Sequence, residues 1–280
     1  MSRIELAMEK AARLKQLREV RGHDQQRVTA PGGVPPLSPR YGRLSPSNPY
    51  LVNLHDPHSL PAEEYRKLKS ALVDMTRALD SFHNTLLVTS SLPREGKSLT
   101  ALNLAISLAE ELDHTVLLVD ADLRQPALHR YFEIEQGVGL ADVLVEGAGI
   151  GDTIIPTGIG KLSIMRAGTA IDNPVELFSS LKMKVLVEEL KRRYPDRYLI
   201  FDSSPLLPFA ETRSLARLVD GVILVVMERV ASQAGVREAL DALSGSRLLG
   251  VVYNGQQPDG HYAGYYGRDR QTGGQDGSKK

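Results

Sequence analysis

The chain has 280 residues, enough for one large α/β domain with tails, and its 34 Lys+Arg balance 34 Asp+Glu, so no overall basic field argues for nucleic acid. It contains no cysteine, which excludes a disulfide framework, thiol catalysis and a cysteine-ligated zinc. No apolar run approaches the roughly 18–20 residues that span a bilayer, and the charged N-terminus has no apolar signal core, so a cytoplasmic protein is expected.

In chain order, residues 4–20 predict a helix with Ile4, Ala7, Met8, Ala11 and Leu14 on one face and Lys10, Arg13, Lys15 and Arg18 mostly elsewhere. Such a basic amphipathic helix suits a membrane surface or a partner, but its thin, Ala-rich stripe fits a free helix equally well. Six prolines between Pro31 and Pro49 then mark a linker, drawn at 22–55. Residues 61–81 predict a helix on which Glu63, Arg66 and Lys69 share a face, either solvated or pairing with a copy of itself; spacing alone favours the solvated face.

Residues 85–100 carry the central signal: Thr-Leu-Leu-Val-Thr-Ser-Ser-Leu-Pro-Arg-Glu-Gly-Lys-Ser-Leu-Thr. An apolar run, Leu86 to Val88, enters a polar loop, and a helix follows Gly96-Lys97-Ser98 over 98–112. Backbone N–H groups and the helix N-terminus suit polyphosphate; Lys97 reaches the β- and γ-phosphates and Ser98 places a hydroxyl on Mg²⁺. The pattern G-x-x-x-x-G-K-[ST] is incomplete, because Ser91 stands at its first glycine. A bare Gly-Lys-Ser is common by chance, so the context decides.

That context is two acidic strand ends. The strand at 116–119 runs into Asp120-Ala-Asp122, whose alternation puts both carboxylates on one side. Carboxylates so close need a cation or a shared proton, although a helix-start cap is the plainer alternative. After a short helix (139–147), a strand (162–165) and a loop (168–173), a long helix is expected to 194, with Asn173 as cap and Pro174 in its first turn. The strand at 198–202 ends in Asp202, which can hold a Mg²⁺-bound water. A helix (212–219), an apolar strand (221–227), a helix (232–243) and a last strand (247–253) ending at Asn254 complete the domain, drawn at 56–254. Alternating strands and helices predict a doubly wound, mostly parallel sheet with the ligand at its carboxyl ends. The Gly-rich remainder, 255–280, reads as a flexible tail in which Tyr262, Tyr265 and Tyr266 are candidate phosphoacceptors, as is Tyr253 at its root.

With those residues in view, the chain resembles the bacterial tyrosine kinases, P-loop enzymes of the deviant MinD/ParA-like type, over roughly 56–266. The pattern S-x-x-P-x-x-G-K-S-x-x-x-x-N-L-A is met by Ser90 to Ala105, V-D-A-D-x-R-x-P by Val119 to Pro126, D-[ST]-x-P by Asp202 to Pro205, and N-P-x-E-L-[LF] by Asn173 to Phe178. The tyrosine cluster matches too, and the chain is most similar to the stand-alone, exosortase-associated exopolysaccharide autokinases.

The resemblance implies ATP and Mg²⁺ as cofactors and γ-phosphoryl transfer to the tail tyrosines in trans. It implies nucleotide contacts at Ser91, Pro93, Arg94, Glu95, Gly96, Lys97, Ser98, Leu99, Arg124 and Asn254, with Asn254 at the adenine. Lys97, Asp120, Asp122 and Asp202 are implied as catalytic, with Ser98, Asp122 and Asp202 on the metal and Asp120 as candidate base. Glu63, Arg66 and Lys69 look like the family's oligomerisation motif E-x-x-R-x-x-R, with Lys69 replacing an arginine. A homo-oligomer, a separate membrane-anchored co-polymerase-type activator, peripheral membrane attachment through it and a phosphotyrosine phosphatase follow by the same implication. Arg94 stands where glycine is common and Ser204 where proline is frequent. The rival readings are a partition or positioning ATPase, which lacks a use for the tyrosines and whose early signature lysine is missing here, and a non-catalytic nucleotide sensor.

Overall fold

The computed structural model describes residues 42–77 and 82–256. The sequence-predicted helix at 4–20, most of the linker and the tyrosines Tyr262, Tyr265 and Tyr266 lie outside these residues.

Seven strands form one sheet: β1 (Thr85–Ser90), β2 (Thr115–Ala121), β3 (Ile154–Pro156), β4 (Leu162–Met165), β5 (Arg197–Ser203), β6 (Gly221–Met227) and β7 (Leu248–Asn254), in the order β3-β4-β2-β5-β1-β6-β7. All neighbours are parallel except the β3–β4 pair. The period-two alternation of strands divides the core in two. Leu87, Leu117, Val119, Leu199, Phe201 and Leu224 face one side, and Leu86, Val88, Leu118, Tyr198, Ile200 and Val225 face the other. Each side is covered by helices, so the central strands are apolar throughout.

The helices are α1 (Val52–His55), α2 (Leu60–Arg77), α3 (Lys97–Ala109), α4 (Leu128–Tyr131), α5 (Leu140–Val145), α6 (Ile150–Thr153), α7 (Pro174–Ser179), α8 (Leu181–Arg193), α9 (Ala210–Ala216) and α10 (Gln233–Ala242). Every residue of α3 from Thr100 to Ala109 is buried, because α2 packs over the face the sheet leaves free.

Three expectations are corrected. The single helix expected to 194 is two: Ser180 leaves helical geometry at ψ 156° and caps α8 by accepting from Met183 N at 3.2 Å. Asn173 occupies the cap position of α7 without a side-chain cap bond, and Pro174 begins the first turn. The described end of the linker is not free. Leu51 is fully buried, Leu44 N donates to Thr157 O at 2.8 Å, and Asn53 bonds the P-loop helix at Asn103, so the packed domain begins before residue 56. Asn103 in turn donates to Tyr50 O at 2.9 Å, a tie that local periodicity does not announce.

Candidate active site

β1, β5 and β2 are adjacent central strands, so the loop after β1 and the acids ending β2 and β5 emerge side by side. The cross-strand register pairs Asp120 directly with Asp202. At the mouth of the loop, Lys97 Nζ lies 3.0 Å from Asp122 Oδ2 and 3.2 Å from Ser98 Oγ. The sequence-predicted lysine, serine and three carboxylates therefore form one cluster, and each carboxylate is almost wholly buried.

The loop is braced from two sides. Glu95 turns inward, fully buried, and accepts from Leu92 N at 2.7 Å, closing the turn. Asn254 Nδ2, at the end of β7, donates to Glu95 O at 3.1 Å, and its Oδ1 accepts from Gly255 N at 2.9 Å. The Asn254 amide thus props the phosphate loop from the end of β7. Gly96 has φ +91°, and a Cβ there would meet Asn254 Nδ2 at 2.1 Å, so both conformation and space demand glycine. Arg94 also has positive φ, 69°, which explains why glycine suits that position. Ser91 is buried at the loop's start, and Pro93 and Leu99 flank its exposed and helical sides.

The carboxylates differ in how they are held. Asp122 Oδ1 accepts from Ser204 Oγ at 2.7 Å and from Gln125 N at 3.1 Å. Asp120 Oδ2 accepts from Ala127 N and Leu128 N, both at 2.9 Å, while its Oδ1 is buried without a partner. Neither oxygen of Asp202 completes a hydrogen bond. Burial, with the charge of Asp202 adding to it, pushes Asp120 up to about 7 against the pull of the Leu128 and Ala127 amides. Burial likewise pushes Asp202 up to about 6, offset in part by the Lys97 charge and the Ser98 hydroxyl. Burial alone would depress the Lys97 ammonium, but Asp202, Asp122 and Asp120 together hold it above its ordinary value.

Buried, unpartnered carboxylate oxygens beside a lysine fit a missing cation. Among the described residues no group of three or more His, Asp or Glu is arranged to hold a metal by itself.

Some candidates stand apart from this cluster. Arg124 donates from Nε to Glu211 Oε1 and lies 4.6 Å over the Phe209 ring, at the start of α9. Tyr253 is fixed in β7 opposite Val226, unlike a residue of a free tail. On α2, Glu63 and Arg66 pair with each other at 2.5 Å, and Lys69 reaches Glu111 at 2.8 Å. The sequence alone did not announce the bond from Ser204 to Asp122. The place of Ser204 one residue past D-[ST] was the available signal, but only the fold shows that it orients Asp122.

Known proteins place this arrangement. The chain is 34% identical over 220 residues, 78% of its length and 91% of the other, to the tyrosine-protein kinase YwqD of Bacillus subtilis (strain 168). The chain belongs to the bacterial tyrosine kinases. No family model matches it. It is also 33% identical over 208 residues, 71% of its length, to the succinoglycan biosynthesis transport protein ExoP of Rhizobium meliloti (strain 1021), of which it spans 25%. Among solved structures it is similar to the chimerical protein CapA2B2, at a TM-score of 0.69 and 28% identity over 78% of this chain and 95% of that one. The Pyrococcus horikoshii septum site-determining protein MinD, complexed with Mg-ADP, shares the fold at a TM-score of 0.50 and 22% identity, over 61% of this chain and 69% of that one. This bacterial tyrosine kinase is a nucleotide-binding enzyme on a MinD-like sheet. No helix among its described residues is long and apolar enough to cross a membrane.

Proposed function

We propose that this kinase transfers the γ-phosphoryl group of ATP to its own C-terminal tyrosines, Tyr262, Tyr265 and Tyr266, within a homo-oligomer. The observation that carries the reading is the convergence of Lys97 with Asp120, Asp122 and Asp202, two of them with unpartnered buried oxygens. In this reading the loop N–H groups and Lys97 seat the triphosphate. Ser98, Asp122 and Asp202 would hold Mg²⁺ and its waters, and the bound ion would neutralise charge on the phosphates. Asp120 accepts the phenol proton, because a group of pKa about 10 needs a base at neutral pH. The chain supplies mainly position and charge, as phosphoryl transfer requires. Lys97 begins on Asp122 and exchanges that contact for phosphate, leaving Asp122 to Ser204 and the cation.

Glu63, Arg66 and Lys69 are proposed as the oligomer contact, with their present intrachain pairs as the competing state. By the likeness to ExoP, we place the kinase in exopolysaccharide synthesis or export. Attachment at the membrane runs through a co-polymerase-type activator, and a phosphotyrosine phosphatase opposes the kinase. Several phosphates, each adding about −1.5 to −2 charges, would repel within an oligomer and dissolve it.

The test is mass spectrometry of the purified protein after incubation with ATP and Mg²⁺. Phosphate is expected on the last tyrosines, and ATP hydrolysis without phosphotyrosine would instead support the partition-ATPase reading. Mixing a Lys97→Met chain with one lacking Tyr262, Tyr265 and Tyr266 probes the trans route: the Lys97→Met chain becomes phosphorylated, or transfer is in cis.

A further inference from the structure

Beside the carboxylate cluster, and sharing Lys97 and Ser98 with it, opens a cavity of about 480 Å³. Its other walls include Arg94, Arg130, Tyr131 and the amide of Asn48, and no acidic side chain lines it among the described residues. Lys97 is paired with Asp122, but the guanidinium groups of Arg94 and Arg130 make no ion pair or hydrogen bond among the described residues. Arg94 holds its place with a left-handed backbone, a conformation that costs a non-glycine residue about 1 kcal/mol. Two exposed, uncommitted arginines lining one cavity with Lys97 and Ser98 supply more positive charge than Lys97 alone gives the nucleotide, and can receive a second dianion beside the transferring group.

The sequence offers such a dianion. Tyr265 and Tyr266 are adjacent, and Tyr262 precedes Tyr265 by three residues. An extended chain spans about 10 Å over three residues, and a 480 Å³ cavity taken as a sphere is about 10 Å across. A phosphotyrosine and an unmodified tyrosine of this spacing can therefore occupy the cavity and the transfer point together.

We propose that Arg94 and Arg130 form a phosphotyrosine subsite that grips a tail already phosphorylated once and presents a neighbouring tyrosine for the next transfer. The inference rests on the reading that the C-terminal tyrosines are acceptors, and it adds an order: the first transfer is slow and the later ones are fast. In each later transfer the acceptor Oη gives its proton to Asp120 and bonds to the γ-phosphorus. The bond from that phosphorus to the β,γ-bridging oxygen breaks and releases ADP. The priming phosphate is unchanged.

The experiment uses the full chain carrying Tyr262→Phe, Tyr265→Phe and Tyr266→Phe, with ATP, Mg²⁺ and two synthetic peptides of the 257–272 sequence, one unmodified and one phosphorylated at Tyr265. The phosphorylated peptide is expected to show a kcat/KM about tenfold higher, from one to three charge-assisted hydrogen bonds. Arg130→Ala should bring the two peptides within about twofold while leaving the unmodified peptide and the KM for ATP unchanged, which also reports an intact fold. Arg130→Lys should keep part of the preference. Equal or slower transfer to the phosphorylated peptide, or a preference that survives Arg130→Ala, overturns the subsite. So does a rise in KM for ATP with both peptides equally affected, since the arginines would then serve the nucleotide. Absence of transfer to either peptide overturns the acceptor reading itself, and the subsite with it.

Discussion

The two ends of the parallel sheet treat their carboxylates in opposite ways. At the amino end, Asp220 accepts from Thr85 N at 3.0 Å and Lys191 Nζ at 2.5 Å. Burial alone would raise its pKa, but the Lys191 and Thr85 hydrogen bonds outweigh it and hold the group below its ordinary value. At the carboxyl end, Asp120 and Asp202 are buried without a full set of partners and are pushed well above theirs. One end spends its acid on the fold. The other keeps acids that the fold would rather see neutral, which a proton or a cation can satisfy.

That contrast can be broken at its strongest point first. Lys97→Met should lower phosphotransfer by about 10³-fold or more, since it removes the cation aimed at the transferring group; initial rates of phosphotyrosine formation measure it. Asp202→Asn should cost about 100-fold in activity and yet stabilise the nucleotide-free protein by on the order of 2 kcal/mol near pH 8. The sign follows from the raised pKa. The wild type loses stability as pH rises from about 4 through about 6, while asparagine stays neutral, so the gain should vanish near pH 4. Thermal unfolding of both proteins across that range reads it, and a destabilised variant at pH 8 would mean that Asp202 is satisfied after all.

Ser204→Ala sharpens the comparison within the site. It leaves Asp122 with Gln125 N and Lys97 as partners, so activity should fall about tenfold with Mg²⁺ dependence shifted to higher concentration. Asp220→Asn is the smallest effect, about 1 kcal/mol at pH 7 with activity unchanged. A lowered folded pKa places that contribution above the unfolded value of about 4, and it is lost as pH falls further. Urea midpoints should therefore differ between the two proteins more at pH 7 than at pH 3.

The central strands were legible because burial on both faces writes a continuous apolar run, and the acids ending β2 and β5 stood out against it. The phosphate loop was legible from Gly96-Lys97-Ser98 between a strand and a helix. What stayed hidden depends on contacts between distant segments. The Ser180 break looks, in sequence, like one position of a continuous helical repeat. β3 has three residues and pairs antiparallel at an edge, too short to carry a period. The roles of Ser204, Asn103 and Glu211 are hydrogen bonds across 82, 50 and 87 residues of chain. A Pro-rich composition marked residues 42–55 as linker, yet a few anchors such as Leu51 suffice to dock them. The contacts of Arg124 with Phe209 and Glu211 likewise join segments far apart in the chain.

The strut that Asn254 sets against Gly96 has a practical meaning for anyone trimming this protein. A deletion meant to remove only the tyrosines is clean when it starts after Gly255. Started two residues earlier, it takes away the amide under the phosphate loop, and the resulting inactive enzyme would be mistaken for proof that the tyrosines themselves drive catalysis.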